Sequence, residues 1–141
     1  MSATLEKSNL ELVRRITRGL ATNDMRPLIA ALDDNVVWMS NSLPPYFRFG
    51  GEHLKRAGVL DLLAKVSAEY AFHRYEIDEI SETGNDIWAI CEVVAHHRPT
   101  DRNVTGRIIF HMVFRDGKLA SYEGFFDTAS VLQQQGRLNN A

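Results

Sequence analysis

Cysteine is almost missing from this chain. Cys91 stands alone among 141 residues, so no internal disulfide can form. No CxxC or HExxH spacing occurs, which removes the usual local frameworks for a metal site, and no cofactor is expected. Basic charge is not in excess: 16 Lys and Arg against 18 Asp and Glu leave a net charge of -2, so nothing drives binding to nucleic acid. Long apolar runs are lacking too. The longest, such as IIFHMVF at 108–114, fall far short of the ~20 residues of a membrane helix, and no membrane association is expected. The first residues, MSATLEKSNLELVRR, lack the apolar core of a secretory signal, and the expected location is the cytoplasm. Repeats, low-complexity tracts and linker-like segments are absent as well.

What is present is an ordinary globular composition, 45% hydrophobic and 24% charged, in a length that suits one domain spanning 1–141. Leu10, Val13, Ile16, Thr17 and Leu20 recur at helical spacing with charges between them, predicting an amphipathic first helix. After "ATND", Asp24 is placed to cap a short second helix, MRPLIAALDD, with Pro27 tolerated in its first turn. "NVVWMS" reads as a strand, and NSLPPYFRFGG as a loop rich in aromatics. Val59, Leu62, Leu63, Val66 and Tyr70 mark a third helix. From His73 onward the pattern becomes long strands broken at "ETGND", "RPTDRN" and "RDGK", and DTASVLQQQ closes the chain as a short helix capped by Asp127. Helices followed by an antiparallel meander predict an α+β domain with helices over one sheet face.

Three of the five histidines fall within VVAHHRPTDRNVTGRIIFHMVF, which begins at Val93. If Pro99 to Arg102 form the loop, His97 faces Val104, Cys91 faces Phe110 and Ala89 faces Met112. Alternation then puts Ala89, Cys91, Val93, Ala95, His97, Gly106, Ile108, Phe110, Met112 and Phe114 on the core side. The outer face carries Trp88, Ile90, Glu92, Val94, Arg107, Ile109 and His111, with Glu92 diagonal to both Arg107 and His111. His96 and His97 must point to opposite faces, so the three imidazoles cannot share a metal. An outer face this apolar suggests the contact of a homodimer. The last hairpin has two possible registers. A two-residue Asp116-Gly117 turn would put Glu123 and Phe125 inside, making Glu123 a pocket carboxylate. A three-residue connection with a bulge would put Ala120, Tyr122, Gly124 and Phe126 inside, an uncharged set that is preferred for that reason.

Two stretches, GLATNDMRPLIAALDDNVVWM and FHMVFRDGKLASYEGFFDTA, resemble the nuclear transport factor two-like superfamily in its SnoaL-like and ketosteroid-isomerase-like branch, and the resemblance covers roughly residues 10 to 132. It implies a cystatin-like cone: a curved antiparallel β-sheet wrapped against three N-terminal helices, open at one end to a small hydrophobic ligand, and often paired through the outer sheet face. The catalytic groups do not carry over. Where ketosteroid isomerases have a carboxylate base, a tyrosine and a protonated aspartate, the matching positions hold Met39, Ile16 and Phe110, and the aspartate of SnoaL-type cyclases is matched by Gly124. No Arg flanked by two aspartates, as in limonene-epoxide-hydrolase-like sites, is evident.

The remaining candidates for chemistry are His97, the only ionisable group that the register puts inside, and Tyr122 as a hydrogen-bond donor. His97 could equally sit in solvent at the hairpin tip, and Tyr122, like Tyr70, could be a core tyrosine bonded to backbone. Trp38, Asn41, Tyr46, Phe49, His53, Phe110, Met112 and Phe126 are the candidate pocket lining. Two functions fit: an isomerase, cyclase or hydratase/hydrolase acting on a polyketide-, terpenoid- or steroid-like molecule, or a non-catalytic ligand-binding or dimeric scaffold.

Overall fold

The computed structural model describes residues 2–138. Helix α1 (Ser2–Ala21) buries Val13, Ile16 and Leu20, and Thr17 beside them returns its hydroxyl to the Arg14 carbonyl at 3.0 Å. Asn23, at a φ of 61°, turns the chain toward α2 (Arg26–Ala31). The N-cap residue of α2 is Met25. Asp24 lies one residue earlier and accepts from the Arg26 amide at 3.1 Å while pairing with its guanidinium, so its expected capping role is displaced by one position. That pairing, through hydrogen bonds first, lowers the Asp24 carboxyl to about 2.

Strand β1 (Leu32–Ser40) begins three residues before the predicted strand and runs into the aromatic loop. Strand β2 (Gly51–Leu54), not foreseen, folds back on β1 antiparallel and leads directly into α3 (Lys55–Glu69). Then follow β3 (Tyr70–Thr83), β4 (Asp86–His97), β5 (Arg102–Arg115), β6 (Lys118–Phe125) and α4 (Thr128–Gln134). Tyr70 opens β3 rather than closing the third helix. Asp127 caps α4 as expected, accepting from the Ser130 amide at 3.0 Å.

The six strands form one curved sheet in the order β2-β1-β6-β5-β4-β3, with the helices on its inner side. All neighbours are antiparallel except β1 and β6, which run parallel, so the sheet is mixed. The core is the inner face: Ile87, Ala89, Cys91, Phe110, Met112, Phe114 and Leu119 pack against Val13, Ile16, Leu28, Val59 and Leu62 from the helices.

The central hairpin closes one residue earlier than the expected loop. Arg98–Asp101 form the turn and His97 pairs with Arg102, so Ala89 pairs with Phe110 and Cys91 with Ile108. The shift in pairing is two residues, and because side chains alternate with period two every residue keeps its predicted face. The outer pairs do change: Glu92 lies directly opposite Arg107, and Trp88 opposite His111. In the last hairpin, neither expected register is complete. The connection is the two-residue Asp116-Gly117 turn, both residues at positive φ (51° and 75°), which is the twist-matched hairpin turn that this dipeptide favours. A bulge further along then resets the parity: Phe114 pairs with Leu119 but Val113 pairs with Ser121, leaving Ala120 over. Leu119, Tyr122 and Gly124 therefore face inward in place of the predicted Ala120, Tyr122 and Gly124, while Glu123 pairs with His111 on the outer side.

Candidate ligand cavity

Between the helices and the inner face lies a cavity of about 180 Å³, close to the ~150 Å³ of an apolar cavity that accepts benzene and below the ~300 Å³ at which pockets for drug-sized ligands begin. Its helical wall comes from Ile16, Leu20, Leu28, Leu62 and Val66; its sheet wall from Trp38, Val93, Ala95, Phe110 and Met112; Phe49, Phe72 and Phe126 close the aromatic end. The wall is almost entirely apolar, as the inward alternation of β4 and β5 dictates.

Three phenols interrupt it, those of Tyr70, Tyr75 and Tyr122. Tyr122 stacks on Trp38, its lateral partner across the parallel pair, with ring centroids 3.8 Å apart at 19°. Tyr75 reaches in from β3. Burial pushes the Tyr75 and Tyr122 phenols upward, Tyr75 well above its ordinary value, so each hydroxyl keeps its proton and stays a neutral donor. The Cys91 thiol, also buried, is pushed up to about 12 and is inert for the same reason. Asp127 is the one carboxylate in the described wall, and its Oδ1 is committed to the Ser130 amide. Arg107 borders the cavity, but its guanidinium turns out toward Asp78 at 3.6 Å.

Of the predicted lining residues, Trp38, Phe49, Phe110, Met112 and Phe126 all reach the cavity. Asn41, Tyr46 and His53 do not. The Asn41 amide clasps the backbone of Phe126 by two hydrogen bonds of 3.0 and 3.2 Å, which extends the β1–β6 pairing by one step. Tyr46 is exposed on the loop surface, and His53, on β2, bonds the Phe49 and Gly50 carbonyls. Ile16 and Phe110 line the cavity, whereas Met39 is on the outer side; the β1 positions at the cavity are Trp38 and Ser40. The inner face of β1 carries no carboxylate at either place.

His97 lies on the inner side, only 3% exposed, yet outside the cavity wall. Its Nε2 meets Glu69 Oε2 at 3.0 Å and its Nδ1 meets Thr100 Oγ1 at 2.7 Å. Next to it, Tyr70 accepts from Gln135 Nε2 at 2.6 Å, and Arg137 donates to Gln135 Oε1 at 3.0 Å. Burial, ahead of its polar neighbours, pushes the Tyr70 phenol up to about 12. Both ring nitrogens of His97 are thus engaged, tying the end of α3 to the central hairpin, and its ring lies against that of Tyr70 with centroids 5.0 Å apart. Sequence spacing could not reveal Glu69 or Gln135, because each is brought to His97 or Tyr70 only by tertiary folding. The other two histidines of the hairpin are separately engaged, His96 with Asn103 and Asp101 and His111 with Asp86 at 2.7 Å.

On the outer face, the His111 ring stacks on Trp88 with centroids 4.3 Å apart and nearly parallel. Glu92 pairs with Arg74 at 3.2 Å, a partner on β3, and not with His111. Trp88 (45% exposed) and Ile109 (41%) keep much of their apolar surface in solvent, and Met39 and Val37 are exposed on the same face of β1, beyond Ser121 and Glu123 of β6.

Comparison with known proteins follows this geometry closely. The family described as SnoaL-like domain matches residues 13–122. Among solved structures, an NTF2-like protein of unknown function from Burkholderia pseudomallei is 22% identical, with a TM-score of 0.80 over 90% of this chain and 96% of that one. TerC, co-crystallised with polyporic acid, is 21% identical with a TM-score of 0.78, covering 92% of this chain and 98% of its own. An LEH-like epoxide hydrolase from M. tuberculosis is 16% identical with a TM-score of 0.74, covering 94% and 92%. No curated protein matches the chain.

Proposed function

The chain belongs to the SnoaL-like family, and from that premise we propose that it takes a small, uncharged, largely apolar molecule into its cone and converts it by isomerisation or hydrolysis-type chemistry, with Tyr122 donating a hydrogen bond to a ligand oxygen. One observation carries this reading: a cavity walled almost wholly by apolar side chains presents the buried, neutral phenols of Tyr75 and Tyr122 among its few polar groups. Similar folds hold polyporic acid in one relative and hydrolyse epoxides in another, which supports a small-molecule site without naming this one's substrate. His97 has no direct access to a ligand in the cavity, so its part in the reading is to hold the end wall.

A second reading, binding without turnover, is favoured by a different observation. The three positions matched to the isomerase groups hold Ile16, Met39 and Phe110, and Asp127 is the only carboxylate at the described wall. A proton abstraction there lacks a dedicated base. The two readings part when a bound ligand is recovered from the protein: changed product supports the enzyme, unchanged ligand the binding protein.

The outer sheet face is proposed as the contact between two copies of the chain, supported by its exposed Trp88 and Ile109 and by Val37 and Met39 exposed on the same face of β1.

Occupation of the cone is tested by thermal shift with neutral one-ring and multi-ring compounds on wild type and on Val66→Phe, which adds bulk to the cavity wall. A compound that raises Tm of the wild type by several degrees but not of Val66→Phe sits in the cone. Equal shifts for both proteins with every compound would place binding elsewhere and refute the reading.

A further inference from the structure

Gly124 lies two residues beyond Tyr122 on β6, on the same inward face, and it sits where its neighbour's side chain needs to be. A Cβ at Gly124 would fall 2.5 Å from the Tyr122 hydroxyl and 2.9 Å from two of its ring carbons. Tyr122 is therefore laid back along its own strand, flat over Gly124, and pressed from the lateral side by Trp38. No side chain can be added at 124 without expelling the phenol, because real Cβ atoms do not tolerate such contacts. Glycine here is needed for space and not for backbone conformation. Its φ is not positive, unlike that of Gly117 in the hairpin turn.

We propose that Gly124 is the positioning residue for the cavity's hydrogen-bond donor, and that the Tyr122 hydroxyl so placed selects a single-ring, uncharged ligand bearing a carbonyl-type oxygen. This rests on the reading of the cone as a ligand site. Tyr75, from β3, borders the same cavity as Tyr122, and burial keeps both hydroxyls protonated. Negative charge on the ligand is disfavoured because Arg107, the one basic residue in the described lining, is turned outward to Asp78. Size is set by the cavity of about 180 Å³, which suits one ring and not the four fused rings of a steroid.

The test uses acetophenone and ethylbenzene, near-isosteres that differ in one carbonyl, with benzoate and progesterone as the charged and four-ring comparisons. Affinities are measured by NMR titration of wild type, Tyr122→Phe, Gly124→Ala and the double variant. The expected result is that Tyr122→Phe lowers the acetophenone-to-ethylbenzene affinity ratio roughly three- to tenfold while ethylbenzene binds as before, the effect of one net hydrogen bond. Gly124→Ala lowers the ratio equally although the phenol is still present, and the double variant loses no more. That last equality is what a merely structural role for Gly124 would not produce. Circular dichroism and Tm identify any variant that fails to fold, and Tyr122→Phe, which keeps the ring, carries the ratio measurement by itself. An unchanged ratio in Tyr122→Phe, or progesterone or benzoate binding as tightly as acetophenone, overturns the proposal while leaving the cone a ligand site. If neither one-ring compound binds the wild type, the reading of the cone fails and the proposal with it.

Discussion

Glu69 and His97 form a nearly enclosed pair where the end of α3 meets the central hairpin, the carboxylate side chain 12% exposed and the imidazole 3%. Removing one member leaves the other's hydrogen-bonding capacity unmet away from water, which costs more than the pair itself contributes. His97→Ala should therefore lower the free energy of unfolding by about 2–4 kcal/mol in a urea titration. The companion variant Glu69→Gln, which still accepts from the ring, should cost less. Equal stability of wild type and His97→Ala would show the pair to be dispensable. That His97 points inward was legible in the sequence, since alternation on a strand needs only the strand. Its employment was not: Glu69 is the last residue of a helix whose periodicity runs on into Tyr70, and only the sharp change from helix to strand at that point brings carboxylate and imidazole together.

Elements explain why the faces were readable and the pairings were not. A two-residue slip in the central hairpin keeps every face and changes every partner, so the inner set from Ala89 to Phe114 followed from the sequence whereas Glu92 acquired Arg74 and His111 acquired Asp86. A bulge is harder, because one extra residue inverts all that follows. Tyr122 faces in because Ala120 is left over in β6, and nothing at Ala120 itself announces that. The short β2 was hidden because GGEHL offers only four residues of pattern behind paired glycines. Helix α4 is held by a single side chain in an unusual way. Gln134 accepts from the Thr105 amide and donates to the Thr105 carbonyl, each at 2.8 Å, on the part of β5 that extends past the end of β6. Ser130 and Val131 of the same helix border the cavity. Gln134→Ala should loosen α4, raising hydrogen exchange at the Thr105 amide and through α4 at least tenfold, about 1.4 kcal/mol of local opening, with the β3–β4 amides unchanged. Unaltered exchange at Thr105 would show that α4 is held by its apolar contacts alone.

At the scale of the whole molecule, no helix among the described residues covers the outer face of the sheet. Trp88, Ile109 and Met39 are too exposed there for a strand pattern that repeats apolar residues on both faces. Pairing of two copies through this face predicts a dimer by sedimentation velocity at micromolar concentration, and Ile109→Lys, which puts a charge at its centre, should give a folded monomer. A wild type that sediments as a monomer across that range would remove the proposal. The α+β order and the helix-then-sheet layering were legible from periodicity alone. The mixed character of the sheet was not, since a parallel contact between the first strand and the last leaves no mark in either.

That contact has a temporal meaning. Trp38 and Tyr122 meet across β1 and β6, segments from nearly opposite ends of the chain, whereas the other long hairpins close between immediate neighbours in sequence. Loop closure over so long a stretch is slow relative to local hairpins, so the β1–β6 seam should form late in folding. The stacked rings and the hollow beside them come into being with that seam, and a nascent or half-folded chain, however much helix and meander it already has, lacks the hollow altogether.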